Sequence, residues 1–364
     1  MYTNRLFYLL MVVFLIVTAC APQPSIGTAS ATSLPPNSSP SSVPTLEITE
    51  QATDSPPVLP NPFAGEKAWI AYQTSRDGSE GVWLIHPDGT EDHKLNTGWS
   101  GPTLGPAWSP DGTKLIFETR GGDTEPLYEY DLATETSRQL FVCEDPCLGD
   151  GGPAYSPDGS KVVFGRALLP FVHNDILGEE VPSDCGLWIG DVATGEVTQI
   201  TSNTNPPCDP HEASPRWSPD SSKIAYFRER YDNSGVTDAI FVIDADGGEE
   251  QQLTDWELVA GYPDWSADGE WIVFATYPLW TFNFDPVVSN LYRMHPDGSE
   301  IEQLTFYETP DIRANQPRYT PDGNWIIFTA VTPSSRSLWA IPAEGGEPMV
   351  IAQGGIYTHG TWQP

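Results

Sequence analysis

Three histidines lie in polar parts of the chain that lack regular apolar alternation: His173, His211 and His359. Acidic residues accompany the first two, with Glu180 near His173 and Glu212 next to His211. Imidazole and carboxylate groups brought together from separate loops could hold a divalent metal ion. In the alternative interpretation they are independent, solvated loop residues. We predict no cofactor from the sequence. If the chain does bind one, these side chains would suit a divalent cation.

Aromatic residues in the same kind of segment form a second candidate set. The set comprises Phe171, Tyr231, Trp256, Tyr277, Trp280, Phe282 and Tyr307. Alternate side chains of an extended strand point the same way, which would put Trp280, Phe282 and Phe284 in one apolar row. Such a row could stack on a sugar or grip a peptide. The alternative is that this loop folds back and covers the core of its own structural unit.

Four cysteines in the same part of the chain, Cys143, Cys147, Cys185 and Cys208, are an even number, as expected for a secreted protein with disulfides. The favoured pairs are Cys143 with Cys147 and Cys185 with Cys208. A zinc site of four thiolates is the alternative, but such sites use tight Cys-x-x-Cys pairs, and the spacing here is Cys-x-x-x-Cys followed by two lone residues.

A repeat supplies the elements that position these residues. The phrase Trp108-Ser109-Pro110-Asp111-Gly112 returns at intervals of about 50 residues, a period typical of propeller blades. Its later copies are 155–159, 217–221, 265–269 and 319–323. Pro presets the backbone angle at the first corner of a turn, Asp bonds to nearby N–H groups, and Gly takes the left-handed position. The phrase therefore predicts a tight turn, and its leading aromatic residue predicts packing between neighbouring sheets.

Apolar segments with the two-residue alternation of strands follow each copy. In the unit that starts at Trp217, segments 223–227, 239–243 and 251–254 are the predicted second to fourth strands. Six such units are present, and the first lacks its own inner strand. Residues 359–362 look like an inner strand with nothing after it, so we expect the C-terminus to complete the first blade. The prediction is an all-β, six-bladed β-propeller with four-stranded antiparallel blades.

These repeats resemble the WD-like repeats of TolB-type six-bladed propellers, as does the stretch 72–78 that leads into Val82 and Trp83. The resemblance covers residues 66–364. In that family TolB carries an α/β domain ahead of its propeller and is a soluble periplasmic partner of the peptidoglycan-associated lipoprotein. Other members are propeller halves of prolyl-oligopeptidase-like enzymes, whose Gly-x-Ser-x-Gly motif does not occur in this sequence.

The N-terminal segment predicts export and lipid anchoring. Arg5 precedes the apolar run 6–19, which is short for a membrane span, and Val17-Thr18-Ala19-Cys20 resembles a bacterial lipobox. Cleavage would leave Cys20 as an acylated N-terminus carrying fatty chains such as palmitate. An ordinary secretory signal is the alternative. The predicted domains are a signal peptide (1–19), a disordered Ser/Thr/Pro-rich stalk (20–62) and the propeller (63–364).

Charge restricts the partners of the chain. The formal net charge is -33, with 17 basic against 50 acidic residues, which would repel nucleic acids and anionic lipid surfaces. We therefore expect no nucleic-acid partner. The chain is further expected to be a monomer, and the lipid anchor predicts a location on the outer or periplasmic side of the bacterial cell membrane.

Short turns and long connections should fall on opposite faces of the ring, and long loops on a rigid scaffold usually carry binding. The leading hypothesis is a non-enzymatic recognition or scaffold protein that binds a protein, peptide or envelope glycan through the long-loop face. The alternative is an extracellular glycan hydrolase or lyase with carboxylates or a histidine-bound metal at the channel mouth. A purely structural envelope component is a third possibility.

Overall fold

Short apolar segments and tight turns fold the chain after Pro62 into antiparallel sheets, because β-branched and aromatic residues favour strands while Gly, Pro and Asp favour turns. The computed structural model describes residues 62–174, 179–201, 211–232, 235–276, 288–355 and 358–364. Within these ranges the strands form six four-stranded sheets. Pro62–Pro364 is one compact unit.

Each sheet is one blade of a propeller. Blade 1 contains β1 (Ile70–Thr74), β2 (Gly81–Ile85) and β3 (His93–Lys94). Blade 2 contains β4 (Thr103–Trp108), β5 (Lys114–Thr119), β6 (Leu127–Asp131) and β7 (Thr136–Gln139). Blade 3 contains β8 (Cys147–Tyr155), β9 (Lys161–Asn174), β10 (Glu179–Asp191) and β11 (Val197–Gln199). In blades 2 and 3 the first strand in sequence lies at the inner edge of the sheet.

Blades 4 to 6 repeat this order. Blade 4 contains β12 (His211–Trp217), β13 (Lys223–Asp232), β14 (Gly235–Asp244) and β15 (Glu250–Gln252). Blade 5 contains β16 (Ala260–Trp265), β17 (Ile272–Thr276), β18 (Leu291–Met294) and β19 (Glu302–Gln303). Blade 6 contains β20 (Arg313–Tyr319), β21 (Trp325–Val331), β22 (Arg336–Pro342) and β23 (Met349–Gly355). The last strand is β24 (Thr358–Trp362).

The C-terminal strand closes the ring. β24 pairs antiparallel with β1 and becomes the inner strand of blade 1, so the predicted closure is confirmed. Beyond β24, the N–H of Gln363 donates to the carbonyl of Trp69 at 2.7 Å, and the N–H of Trp69 donates to Oε1 of Gln363 at 3.0 Å. Inner strands contact each other from β24 through β4, β8, β12, β16 and β20 back to β24. The fold is the predicted six-bladed, all-β propeller.

Apolar side chains between adjacent blades form the core. Phe328 of blade 6 packs with Val273 and Leu291 of blade 5, and Phe274 of blade 5 packs with Ile240 of blade 4. Full burial of one such side chain contributes about 1.5–3 kcal/mol. In the part of the chain that the structure describes, no helix is both long enough and apolar enough to cross a membrane.

The repeated Ser-Pro-Asp-Gly phrases form the tight turns that their residues predict. In blade 2, Oδ1 of Asp111 accepts hydrogen bonds from the hydroxyl of Ser109 at 2.6 Å and the N–H of Thr113 at 3.1 Å, and Gly112 has a φ of 66°. The same hydroxyl-to-Asp bond recurs in blades 3 to 6. Each turn follows the C-terminal end of an inner strand and thereby fixes one mouth of the channel.

Candidate binding site in the central channel

The inner strands line the central channel, and each contains one residue in the left-handed conformation. At this position φ lies between 50° and 63° in Gly105, Gly152, Ser214, Tyr262, Gln316 and His359. Each of the six coincides with a bulge in the pairing of the inner strand with the next strand. The conformation costs a non-glycine residue about 1–2 kcal/mol, and such strain is concentrated at functional sites. Four of the six residues are not glycine, so this strain is concentrated along the channel.

The position two residues further along each inner strand lines a pocket at the turn-side mouth of the channel. Its occupants are Ala107, Ala154, Arg216, Asp264, Arg318 and Thr361. The pocket has a volume of about 190 Å³, and prolines and aromatic residues of the same strands complete its wall. Blades 4, 5 and 6 therefore contribute charged side chains to one pocket, whereas blades 2 and 3 contribute alanines.

The two arginines of this pocket are incompletely paired. Nε of Arg216 lies 3.8 Å from Oδ1 of Asp264, beyond hydrogen-bond distance, and one Nη of Arg216 donates to the carbonyl of Pro215 at 2.6 Å. Arg318 is 7 % exposed and donates to the carbonyl of Pro317 at 2.8 Å. No salt bridge joins Arg318 to any carboxylate among the described residues. The pocket thus holds more positive than negative charge.

Burial and mutual repulsion shape the electrostatics. Burial, and then the neighbouring Arg318, lowers the pKa of Arg216 to about 9, so its guanidinium keeps its proton at neutral pH. Burial also lowers the pKa of Arg318, while Asp264 opposes this change. Burial raises the pKa of Asp264, and the two guanidinium groups act against that rise. The net charge of the trio is positive whether or not Asp264 is ionised.

Cross-blade hydrogen bonds hold these strands in place. The indole N–H of Trp265 in blade 5 donates to the carbonyl of Arg216 in blade 4 at 3.2 Å. Trp217 bonds in the same way to Ala154, and Trp108 to Thr361. The N–H of Tyr319 donates to Oδ2 of Asp264 at 2.8 Å. The aromatic residue of the repeated phrase therefore fixes the backbone of the neighbouring blade at the channel-facing position.

His359 lies deeper in the same channel and is a weak base. Oε1 of Gln316 accepts the backbone N–H of His359 at 3.0 Å, which turns the amide NH₂ of Gln316 toward Nε2 of the ring, 2.9 Å away. Nε2 is therefore the acceptor, and the ring proton lies on Nδ1. Burial, together with Arg318, Arg216 and Arg336, lowers the pKa of His359 to about 3. The imidazole is neutral at physiological pH.

The histidines proposed as metal ligands are placed in different surroundings. His173 is exposed near the end of the β9–β10 hairpin, with Nδ1 at 3.4 Å from Oε1 of Glu180. His211 begins β12 and pairs with Glu229 of β13, while His359 lies among arginines in the channel. Within the described residues, the only group close enough to share an ion is Cys143, Cys147 and Asp150. Its two sulfurs are joined in a disulfide and cannot act as thiolate ligands.

Two of the predicted aromatic residues pack against the blades. Trp256 lies in a 3-10 helix, Trp256–Leu258, where its ring is 4.5 Å from the guanidinium of Arg230 and 5.9 Å from the ring of Phe241. Tyr307 packs on the core between blades 5 and 6, and burial raises its pKa to about 12.

The remaining aromatic candidates belong to the long-loop face or lie outside the described residues. Phe171 is 37 % exposed near the end of the β9–β10 hairpin. Tyr231 pairs with Val236 at the end of the β13–β14 hairpin. Tyr277, Trp280 and Phe282 lie outside the described residues.

A disulfide joins Cys143 and Cys147, with their Cα atoms 5.1 Å apart. Cys185 is also disulfide-bonded, and its predicted partner, Cys208, lies outside the described residues, as does Cys20. Arg166 supports the first bridge, since it pairs with the buried Asp150 at 2.7 Å and donates to the carbonyl of Val142 at 3.1 Å.

The clusters of histidines and aromatic residues in the sequence do not predict the channel residues Arg216, Asp264 and Arg318. The signal that could have found them is the column just before the repeated aromatic residue. Aligned copies of the repeat have Ala, Ala, Arg, Asp and Arg there, while the aromatic and the turn residues hardly change. A position that varies in charge among otherwise similar copies of the repeat indicates where the blades differ in chemistry.

A closed ring of six four-stranded blades defines the class of the protein as a six-bladed β-propeller. The chain matches the family described as TolB beta propeller domain (PD40) over residues 182–364. It belongs to that family, as its sequence repeats predict.

Among solved structures, TolB from Acinetobacter baumannii is 19% identical with a TM-score of 0.60, over 82% of this chain and 67% of that one. An oligogalacturonate lyase in complex with manganese is 20% identical with a TM-score of 0.53, over 78% of this chain and 73% of the lyase. These likenesses concern the fold alone.

A curated relative is the uncharacterized peptidase YuxL of Bacillus subtilis, which is 24% identical over 190 residues. The match spans 44% of this chain but only 27% of the relative.

Proposed function

We propose that this chain is a non-enzymatic recognition or scaffold propeller that acts outside the cytoplasm, tethered to the bacterial membrane through a lipid on Cys20. It would bind an envelope or extracellular protein, peptide or glycan through the long-loop face. Membership of the TolB propeller family supports a binding role, and the closed ring supplies a rigid platform for the loops.

The state of His359 is the observation that carries the choice of recognition over catalysis. It lies in the channel among arginines, and burial lowers its pKa to about 3. A general base works best when its pKa lies near the operating pH. An imidazole with this pKa is neutral and weakly basic at pH 7, and the surrounding guanidinium groups also oppose a metal cation at its ring.

The alternative, a glycan hydrolase or lyase, receives less support from the same geometry. The likeness to a manganese-bound lyase is one of fold. A histidine-bound metal at the channel mouth stays a prediction of the sequence.

The test is retention of envelope material by the purified, immobilised chain, with envelope proteins and glycans offered separately. Phe171→Ala should reduce retention, and so should the double change Trp280→Ala with Phe282→Ala. Val350→Ala is the matched control, because Val350 is also 37 % exposed but belongs to the outer strand β23. Equal retention by all variants would remove the long-loop face from the proposal. Cleavage of polygalacturonate by the wild type, lost in His359→Ala, would overturn the non-enzymatic role.

A further inference from the structure

We propose that Arg216 and Arg318 form a binding site for one singly charged carboxylate group at the turn-side mouth of the central channel. This site is distinct from the long-loop face, and it stands or falls independently of the recognition function proposed above. The ligand class follows from the charge, the space and the donor geometry of the pocket.

The charge of the pocket runs against that of the whole chain. The sequence has a net charge of -33, yet the pocket holds two guanidinium groups and one carboxylate. A buried cation without an acidic partner is destabilising. A chain with this many acidic residues could readily place a carboxylate beside each arginine. Arg318, only 7 % exposed, has no salt bridge with a carboxylate in the described ranges. An anion from outside the chain would neutralise the excess positive charge of this pocket.

The space and the donors suit a carboxylate. The alanines at positions 107 and 154 leave the opposite wall open, and the volume of about 190 Å³ corresponds to roughly six waters at ~30 Å³ each. That is room for a carboxylate on a short carbon chain. Guanidinium groups present parallel N–H donors that match the two oxygens of a carboxylate.

Asp264 sets the charge that the site accepts. With Asp264 ionised, the trio has one excess positive charge, which a single negative charge balances. A doubly charged anion such as phosphate would meet repulsion from the Asp264 carboxylate. The site should therefore prefer a carboxylate over phosphate.

The backbone of the site is fixed before any ligand arrives. Trp265 bonds to the carbonyl of Arg216, and the N–H of Tyr319 bonds to the side chain of Asp264. Rigid support of this kind reduces the conformational cost of binding.

The experiment is a titration of the purified full chain at neutral pH, followed by nuclear magnetic resonance of the probe. Two carboxylate probes distinguish the source of the group: butyrate stands for a free organic acid, and acetyl-Ala-Glu-Ala-amide stands for an acidic peptide side chain. Phosphate is the third probe. Binding of butyrate, of the peptide or of both supports the site and identifies the source. If neither carboxylate binds, or phosphate binds more tightly than both, the proposal is wrong.

Variants assign the binding to the pocket. Arg216→Gln and Arg318→Gln should each weaken carboxylate binding about tenfold or more, as expected for loss of a charge-assisted hydrogen bond. Lys223→Gln is the charge-matched control, because Lys223 is 46 % exposed at a turn outside the channel, and its affinity should equal that of the wild type. Equal affinity of the wild type and both arginine variants would overturn the assignment.

Asp264→Asn tests the same site with a change that should strengthen carboxylate binding, whereas the arginine variants should weaken it. The asparagine oxygen can still accept the N–H of Tyr319, so the backbone support is retained. Removal of the negative charge should tighten carboxylate binding about tenfold and admit phosphate. A gain in affinity cannot arise from misfolding, whereas an unchanged or weaker affinity would contradict the proposed role of Asp264.

Discussion

The last position of the repeated turn is glycine in four of the five copies and serine, Ser221, in the fifth. The φ of Ser221 is 62°, while the equivalent glycines, at positions 112, 159, 269 and 323, have φ of 66°, 72°, 75° and 70°. Ser221 therefore adopts the same left-handed backbone conformation as these glycines. This conformation is unfavourable for a residue with a side chain.

We expect Ser221→Gly to stabilise the propeller by about 0.5–1 kcal/mol. Relief of the left-handed conformation is worth ~1–2 kcal/mol, and the greater freedom of glycine in the unfolded chain removes ~0.4–1 kcal/mol of this gain. Urea unfolding at equilibrium measures the change. Gly159→Ser is the matched reverse change, since an added Cβ there would meet only ordinary contacts at 3.5 Å or more, and it should destabilise by a similar amount. A destabilised Ser221→Gly variant would show that the serine side chain makes a compensating contact.

His295 gives the stability a defined pH dependence. Its Nδ1 lies 2.8 Å from the carbonyl of Glu270, and Nε2 lies 3.4 Å from Oε2 of Glu300. The carbonyl of Glu270, with a further effect of Glu300, raises the pKa of His295 above its usual value of 6.5. A raised pKa in the folded state means that the protonated form is stabilised. This contribution is complete below the unfolded pKa and is lost as the pH rises through the folded pKa.

His295→Gln should therefore lower stability more at pH 5.5 than at pH 8.5. The difference between wild type and variant isolates this residue from the general effect of the acidic surface, which both share. Urea midpoints at the two pH values measure it, and Glu300→Gln should show a smaller change of the same sign. A difference that grows at the higher pH would contradict the protonated contact.

At the scale of the element, the inner strand is the unit that joins packing to the candidate site. Each one contains a left-handed residue, presents a side chain to the channel two residues later and ends in an aromatic residue. In three blades this residue is a tryptophan with two roles, because its ring fills the space between blades while its indole N–H donates to the preceding inner strand: Trp108, Trp217 and Trp265.

Trp265→Phe should cost about 1–3 kcal/mol in free energy of unfolding, the sum of a lost hydrogen bond and a small cavity. Trp339→Phe is the matched control, because the indole nitrogen of Trp339 has no hydrogen-bond partner among the described residues. The control should cost clearly less, since phenylalanine loses only ring volume there. Equal costs for the two changes would mean that the cross-blade bond contributes nothing.

At the scale of the whole molecule, the repeat explains why the fold could be predicted and the site could not. The turn residues and the packed aromatic residues recur because every blade needs the same tight turn and the same packing against its neighbour. The sequence therefore predicts the blades, their number and the closure by residues 359–362. The channel chemistry depends on which side chains different blades bring to one point. Arg216 and Arg318 are about 100 positions apart in sequence, and only the closed ring makes them neighbours.

Ring closure is also the feature on which the whole molecule depends. Removal of residues 358–364 would take the inner strand from blade 1, both hydrogen bonds between Gln363 and Trp69, and the acceptor of the Trp108 indole N–H. The exposed edge of β1 would then be free to pair with another chain. We expect the truncated chain to lose its cooperative unfolding transition and to associate, as seen by size-exclusion chromatography. Gln363→Ala, which removes only the side-chain bonds to Trp69 and Gly112, should remain monomeric and lose about 1–3 kcal/mol. A truncated chain that stays monomeric with an unchanged unfolding midpoint would show that the fold does not depend on the inner strand of blade 1.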